Sequence, residues 1–226
     1  MIFDGAVNAH EVVPGLVRMG RREWVSADGW RQAAEAGYRT VVDLRSPFEH
    51  EIRRDGDAEV PADALAPITV LSRPTEDPDD PGFDYPLGYL DHPADYPGYL
   101  VLFGDRVTRA VLAVAHAEGP VIVHCSAGRD RTGLVLSLGQ VVAGWNHDDI
   151  VAGYVEAAAG INAFHEHHFH PTDTHKKGAE WEAWLGDRVA ALRRFLAEVD
   201  AEGLLREHGA TDDDLAAVRS RFGTGG

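Results

Sequence analysis

The sequence has a single cysteine, Cys125, in 226 residues. One thiol excludes an internal disulfide framework and any multi-thiolate metal site, and it suits a reducing compartment such as the cytoplasm. No stretch approaches the ~18 uninterrupted apolar residues of a spanning helix. The N-terminus, MIFDGAVNAHEVV, lacks the basic stretch and apolar core of a secretory signal, so a cytoplasmic location is expected; signal-independent export is untouched by this reading. Basic residues are also scarce. The 21 Lys and Arg against 37 Asp and Glu leave a formal charge of −16, which argues against nucleic acid and against stable association with an anionic membrane. That charge repels anionic substrates at long range, so any anion site must work through local geometry. Internal repeats and long low-complexity tracts are absent.

What is present is an alternation of short β-prone runs and amphipathic segments. GLVRMGR (15–21), YRTVVDLRS (38–46), ALAPITVL (64–71) and PVIVH (120–124) read as strands. Helices are expected over 27–36 behind a Ser26 cap, 99–119, about 132–142, about 146–159, 181–199 and 210–222, with a short helical piece at 47–54. Such alternation implies an α/β fold with a largely parallel sheet and helices on both faces. Residues 72–98, rich in proline and aspartate, read as a long loop of the kind that is mobile or functional. One domain spanning 1–226 is expected, with that loop and a histidine-rich lid or linker at about 164–178.

The most informative stretch is VIVHCSAGRDRTGLVL, residues 121–136, where a buried strand meets a helix start. Gly128 lets the chain turn tightly and Ser126 and Ala127 stay small, so successive N–H groups can form an anion nest. The helix that follows adds its N-terminal dipole. Arg131, six residues after Cys125, can bring its planar fork over the same spot. A cysteine in such a field is expected as its thiolate, poised to attack phosphorus and form a cysteinyl-phosphate. An inert buried cysteine would not explain Gly128, Arg131 and Thr132 at these spacings.

This HC-x5-R-[ST]-G pattern resembles the signature of cysteine-dependent protein tyrosine phosphatases. The narrower AG-x-DRTG, with VVDLRSPFEHE (41–51) and LREHGATDDDLAAVRSRF (205–222), is similar to the bacterial atypical tyrosine phosphatases. The resemblance implies a three-layer α/β/α fold with a mostly parallel central sheet. It also implies hydrolysis of phosphotyrosine, and in some members of phosphoserine, phosphothreonine or phosphoinositides. The implied partners are a phosphorylated protein or small phosphoester, with no cofactor and no metal. Cys125, Arg131 and Asp130 are then the catalytic candidates, with Ser126, Ala127, Gly128, Arg129, Arg131 and Thr132 around the phosphate. Arg129 stands where that group usually has lysine, and with the acidic balance it favours phosphotyrosine peptides over membrane phosphoinositides.

Departure of a poor leaving group requires a proton donor. Asp130 is preferred, and Asp91 and Asp95 in the long loop are its rivals. Asp43 and Arg45 either face the same crevice or form an ordinary strand-end ion pair, and Thr132 either bonds the sulfur or caps the following helix. His124 is expected to support the loop by hydrogen bonding. His165, His167, His168, His170 and His175 lack the spacing of a known metal motif, so a solvated or lid-forming segment is the simpler reading. A rhodanese-like sulfurtransferase and a non-catalytic phosphate-binding module are the competing functions.

Overall fold

In a computed structural model, residues 2–61, 63–83 and 89–223 are described. Five strands, β1 (His10–Val13), β2 (Leu16–Met19), β3 (Thr40–Asp43), β4 (Thr69–Ser72) and β5 (Val121–His124), form one sheet in the order β1-β2-β5-β3-β4. All neighbours are parallel except β1 and β2, joined by a tight turn. The register sets Met19, Asp43 and His124 level at the carboxyl ends of β2, β3 and β5, where ligands of such sheets collect.

Strand periodicity divides the core. Leu16, Val42, Val121 and Val123 point to one face, where six helices pack: α2 (Tyr96–Ala115), α3 (Asp130–Val142), α4 (His147–Phe164), α5 (Gly178–Glu198), α6 (Ala201–Glu207) and α7 (Asp212–Phe222). Val17, Met19, Val41 and Ile122 point to the other, against α1 (Ala27–Glu35) through Trp30 and Ala33. The result is a three-layer α/β/α sandwich. Ser26 caps α1, Asn146 caps α4 and Thr211 caps α7 within a capping box with Asp214. Every residue from Asp130 to Gln140 is buried, because α3 lies between the sheet and the outer helices. Its Gly139 admits the ring of Phe222, which a Cβ would meet at 2.5 Å.

Several elements differ from the sequence expectation. The third strand begins at Thr69, because turns closed by Ala64, Ala66 and Ile68 occupy the preceding residues. Edge strand β1 is short and bulged, and α6 is a two-turn helix capped by Asp200; neither leaves a long periodic signal. Helix α4 runs on to Phe164 because Ile161 is buried. The expected loop at 72–98 is anchored early: Thr75 and Glu76 are buried and both bond Tyr99 Oη, and Pro93–Asp95 forms a 3-10 turn into α2. Residues 84–88 of that segment lie outside the described residues. No helix among the described residues is long and apolar enough to cross a membrane.

Candidate active site

The loop between β5 and α3 is shaped from behind. Its carbonyl oxygens are taken one after another by groups that back the loop. Cys125 O accepts from His124 Nδ1 at 2.9 Å, Ser126 O from the Arg21 amide at 2.8 Å, and Ala127 O from Asn8 Nδ2 at 2.8 Å. Arg18 Nη2 donates to Gly128 O at 2.7 Å and Arg129 O at 3.2 Å. The carbonyls are thus taken, while the N–H groups of Ser126 to Arg129 have no acceptor among the described residues and remain as the donors an anion nest uses. Gly128 adopts φ +72°, and a Cβ there would lie 2.3 Å from Met19 O, so both conformation and space demand glycine.

Helix α3 starts at Asp130, two residues earlier than expected. Thr132 therefore sits inside the first turn and is not the cap. Its Oγ1 is buried and has no hydrogen-bond partner in the structure.

Arg131 is held in an acidic clamp. Nη1 donates to Glu49 Oε2 at 2.5 Å and Glu76 Oε1 at 2.6 Å, and Nη2 to Glu49 Oε1 at 2.8 Å. A guanidinium has five N–H donors, and these bonds use three. No described residue accepts from the others, Nε–H and the second Nη2–H, which share one edge of the fork and suit two oxygens of a phosphoryl group. Burial opposes the charge of Arg131, but Glu49 and Glu76 outweigh it and hold the guanidinium firmly protonated. Burial also pushes Glu76 up, with Glu49 adding to it against the pull of Arg131.

Cys125, Asp130, Arg131, Asp91 and Arg129 line one narrow cavity, ≈ 30 Å³ by the measure in which one water needs about 10–15 Å³. Burial pushes the Asp130 carboxyl up to about 6, with Asp91 adding to it and Arg129 opposing. Tyr154 Oη donates to Asp130 Oδ1 at 2.9 Å, and Arg129 Nε to Oδ2 at 2.7 Å. Arg129 itself is committed elsewhere than to a phosphate: Nη1 reaches Asp173 at 2.9 Å, Nη2 reaches Asp91 at 2.6 Å, and the fork lies over Trp184 at 4.9 Å. Asp91 also meets Arg188 at 3.3 Å. Asp95 is exposed and is not part of the cavity lining.

Asp43 and Arg45 stand behind the loop as a buried ion pair of 2.8 Å, with Arg45 also holding Glu23. His124 Nε2 lies 3.4 Å from Asp43 Oδ2. Burial pushes Asp43 up, but His124, His50 and Arg45 more than offset it and hold the carboxyl far below its usual range. Of the histidine-rich segment, His165 and His170 line the cavity and their rings stack at 5.2 Å. Burial lowers His165 to about 4 despite Asp173. Among the described residues, no group of three or more His, Cys, Asp or Glu side chains is placed to hold a metal ion.

Sequence reasoning missed Asn8, Arg18, Arg21, Glu49, Glu76, Tyr154 and Asp173. The one signal within reach was Arg18, a charge inside the apolar strand LVRM that had to find a buried partner.

A family model described as "Tyrosine phosphatase family" matches residues 6–224. A tyrosine-protein phosphatase of Nostoc commune is 28% identical over 123 residues, which is 50% of this chain and 42% of that protein. The triple specificity protein phosphatase PtpB of Mycobacterium tuberculosis is 40% identical over 52 residues, 23% of this chain and 19% of its own. The matched stretches thus span less than half the length of these curated relatives. A crystal structure of P. aeruginosa TpbA in complex with phosphotyrosine superposes with a TM-score of 0.47 at 20% identity, covering 93% of this chain and 96% of that one.

Proposed function

This chain belongs to the tyrosine phosphatase family, and from that premise we propose that it hydrolyses phosphotyrosine and related phosphomonoesters through a cysteinyl-phosphate. The observation that carries the reading is the pairing of a loop whose carbonyls are all bonded from behind with an arginine whose side-on edge has no partner among the described residues. Amides and guanidinium together supply donors for the charge that develops on the transferring phosphoryl oxygens.

In the first step the Cys125 thiolate attacks phosphorus, an S–P bond forms, and the P–O bond to the leaving phenol breaks while Asp130 donates its proton to that oxygen. In the second step water attacks phosphorus and gives its proton to the Asp130 carboxylate; the S–P bond breaks and the thiolate is restored with release of phosphate. Asp130 is favoured over Asp91 as the acid because burial raises it, whereas Asp91 is bound by two arginines. Arg131 and the amides of Ser126–Thr132 hold the phosphate. Arg129 orients Asp130 and ties Asp91 to Asp173.

We read residues 1–226 as one catalytic domain whose cavity is lined on one side by Tyr89, Leu90 and Asp91 and by His165, His170 and Asp173. Tyr89 Oη bonds Thr172 Oγ1 at 2.8 Å, and Arg129 bridges the same two segments through Asp91 and Asp173. The acidic balance argues for phosphoproteins or small phosphoesters as partners over nucleic acid or anionic bilayers, and the lone thiol argues for the reducing cytoplasm.

The test compares 4-nitrophenyl phosphate and a phosphotyrosyl peptide with thiosulfate plus cyanide. Phosphate release inhibited by vanadate is expected. Thiocyanate formation, or turnover of neither set, would overturn the proposal in favour of sulfur transfer or passive phosphate binding.

A further inference from the structure

Three arginines line the cavity around Cys125: Arg54, Arg129 and Arg131. Two are neutralised by carboxylates, Arg131 by Glu49 and Glu76, and Arg129 by Asp130, Asp91 and Asp173. Arg54 differs. Its Nε is buried without a hydrogen-bond partner, and its guanidinium makes no ion pair among the described residues. The acidic neighbours that could serve it are committed elsewhere. Asp55 accepts from the Phe169 amide at 2.9 Å and faces His168 at 3.4 Å, and Asp57 is held by Arg21 at 3.1 Å and by the Arg54 backbone amide at 2.9 Å. Across the cavity, burial and then the charge of Arg54 lower His170. That neighbour provides no compensating negative charge.

A buried N–H donor without an acceptor is unfavourable, and a chain of net charge −16 has carboxylates in excess with which to pair it. We propose that Arg54 is a specificity residue that receives a carboxylate of the substrate, the side chain of an acidic residue next to the phosphotyrosine of a phosphoprotein. The proposal rests on the phosphatase reading above. Arg54 is partly exposed and lines the same cavity as Cys125, so a substrate whose phosphate reaches Cys125 brings its neighbouring side chains toward this guanidinium. One planar fork matches one carboxylate through two parallel bonds. A second phosphate, as on an inositol ring, carries more charge, and the other two cavity arginines are already committed. The net negative charge also opposes approach to an anionic bilayer.

Two phosphotyrosyl peptides that differ only in Glu or Gln beside the phosphotyrosine test this on wild type, Arg54→Ala and Arg54→Lys. The readout is the Glu/Gln ratio of kcat/KM, together with the ratio of Kd values for the same peptides on Cys125→Ser. Wild type should favour the Glu peptide by about 10- to 100-fold, in KM more than kcat. Arg54→Ala should bring the ratio near one, and Arg54→Lys should restore part of it. A wild-type ratio near one, or a ratio unchanged in Arg54→Ala, overturns the proposal. So does an Arg54-dependent preference for a phosphoinositide in phosphatidylcholine vesicles over the Glu peptide. Selective binding without turnover of either peptide or of 4-nitrophenyl phosphate would uphold the Arg54 contact and remove the hydrolase reading.

Discussion

Replacing Asp130 by asparagine removes a carboxyl that burial raises to about 6 while keeping its size; the amide oxygen can still accept from Arg129 Nε, and the amide NH2 can donate to Tyr154 Oη in place of the bond it now receives. At pH 7 a carboxyl at about 6 is protonated about 10% of the time, against less than about 0.1% at the ordinary value near 3.9. The site therefore holds roughly 100-fold more of the acid form than an exposed aspartate would. General acid catalysis contributes about 10²–10⁴-fold where the leaving group needs a proton. Asp130→Asn should accordingly lower kcat on a phosphotyrosyl peptide by about 10²–10³, and on an ester of a strongly acidic phenol by less than about 10-fold. The wild-type kcat/KM profile for phosphotyrosine should fall with rising pH through a limb near 6, because the deprotonated carboxylate no longer donates. That limb should vanish in Asp130→Asn. The assay is steady-state phosphate release over pH 4.5–8.5 on both esters. Equal losses on the two substrates, or an alkaline limb that survives the substitution, would refute the assignment of the acid.

Cys125→Ser should lose at least ~10³-fold in turnover yet still bind vanadate, because amides and Arg131 are untouched; turnover above a tenth of wild type sinks the mechanism. Gly128→Ala forces a Cβ to within 2.3 Å of Met19 O at positive φ, so the loop must shift, and kcat should drop at least 10-fold in protein that still folds by circular dichroism. Arg18→Met strips the Gly128 and Arg129 carbonyls of their buried donor, a loss of about 2–4 kcal/mol. Calorimetry should show Tm lower by about 5–15 °C, and an unchanged Tm would contradict this role for Arg18. Burial pushes Glu23 up, but Arg45 and its neighbours bring it down to about 2, so its contribution is complete above pH ~4.5 and fades as pH falls toward 2. Denaturant unfolding of Glu23→Gln across that range should show a shallower pH slope than wild type; identical slopes would dissociate Glu23 from acid stability.

Much of this protein was fixed by local pattern. The strand VIVH, the small residues after Cys125, the glycine at 128 and the apolar helix beyond are adjacent in sequence, so the phosphate cradle proposed for them can be read without a fold. Ser26, the Asn146 region and the last helix were legible for the same reason, since a cap and its helix lie within a few residues of each other. The parallel sheet followed from alternation, because helices between strands return the chain to the same edge.

What only the tertiary structure decided depends on residues brought together from far apart. Asn8 and Ala127 are 119 positions apart, Arg18 and Gly128 are 110, and Glu49 and Arg131 are 82. Nothing local in NAHEVV or SPFEHE marks a loop anchor or an arginine clamp. The same holds for Arg129, which the motif presents as a cation facing a phosphate. Asp91 and Asp173, from segments far apart in sequence, take its fork and turn it into a brace between those segments. Short motifs specify which groups are available, but a buried charge takes the partners that packing supplies, because in a site without water it must be paired by protein or by ligand. Glu49, Glu76, Asp91 and Asp173 supply them to Arg131 and Arg129, and that none of the described residues pairs with Arg54 is likewise decided by the fold and not by local sequence.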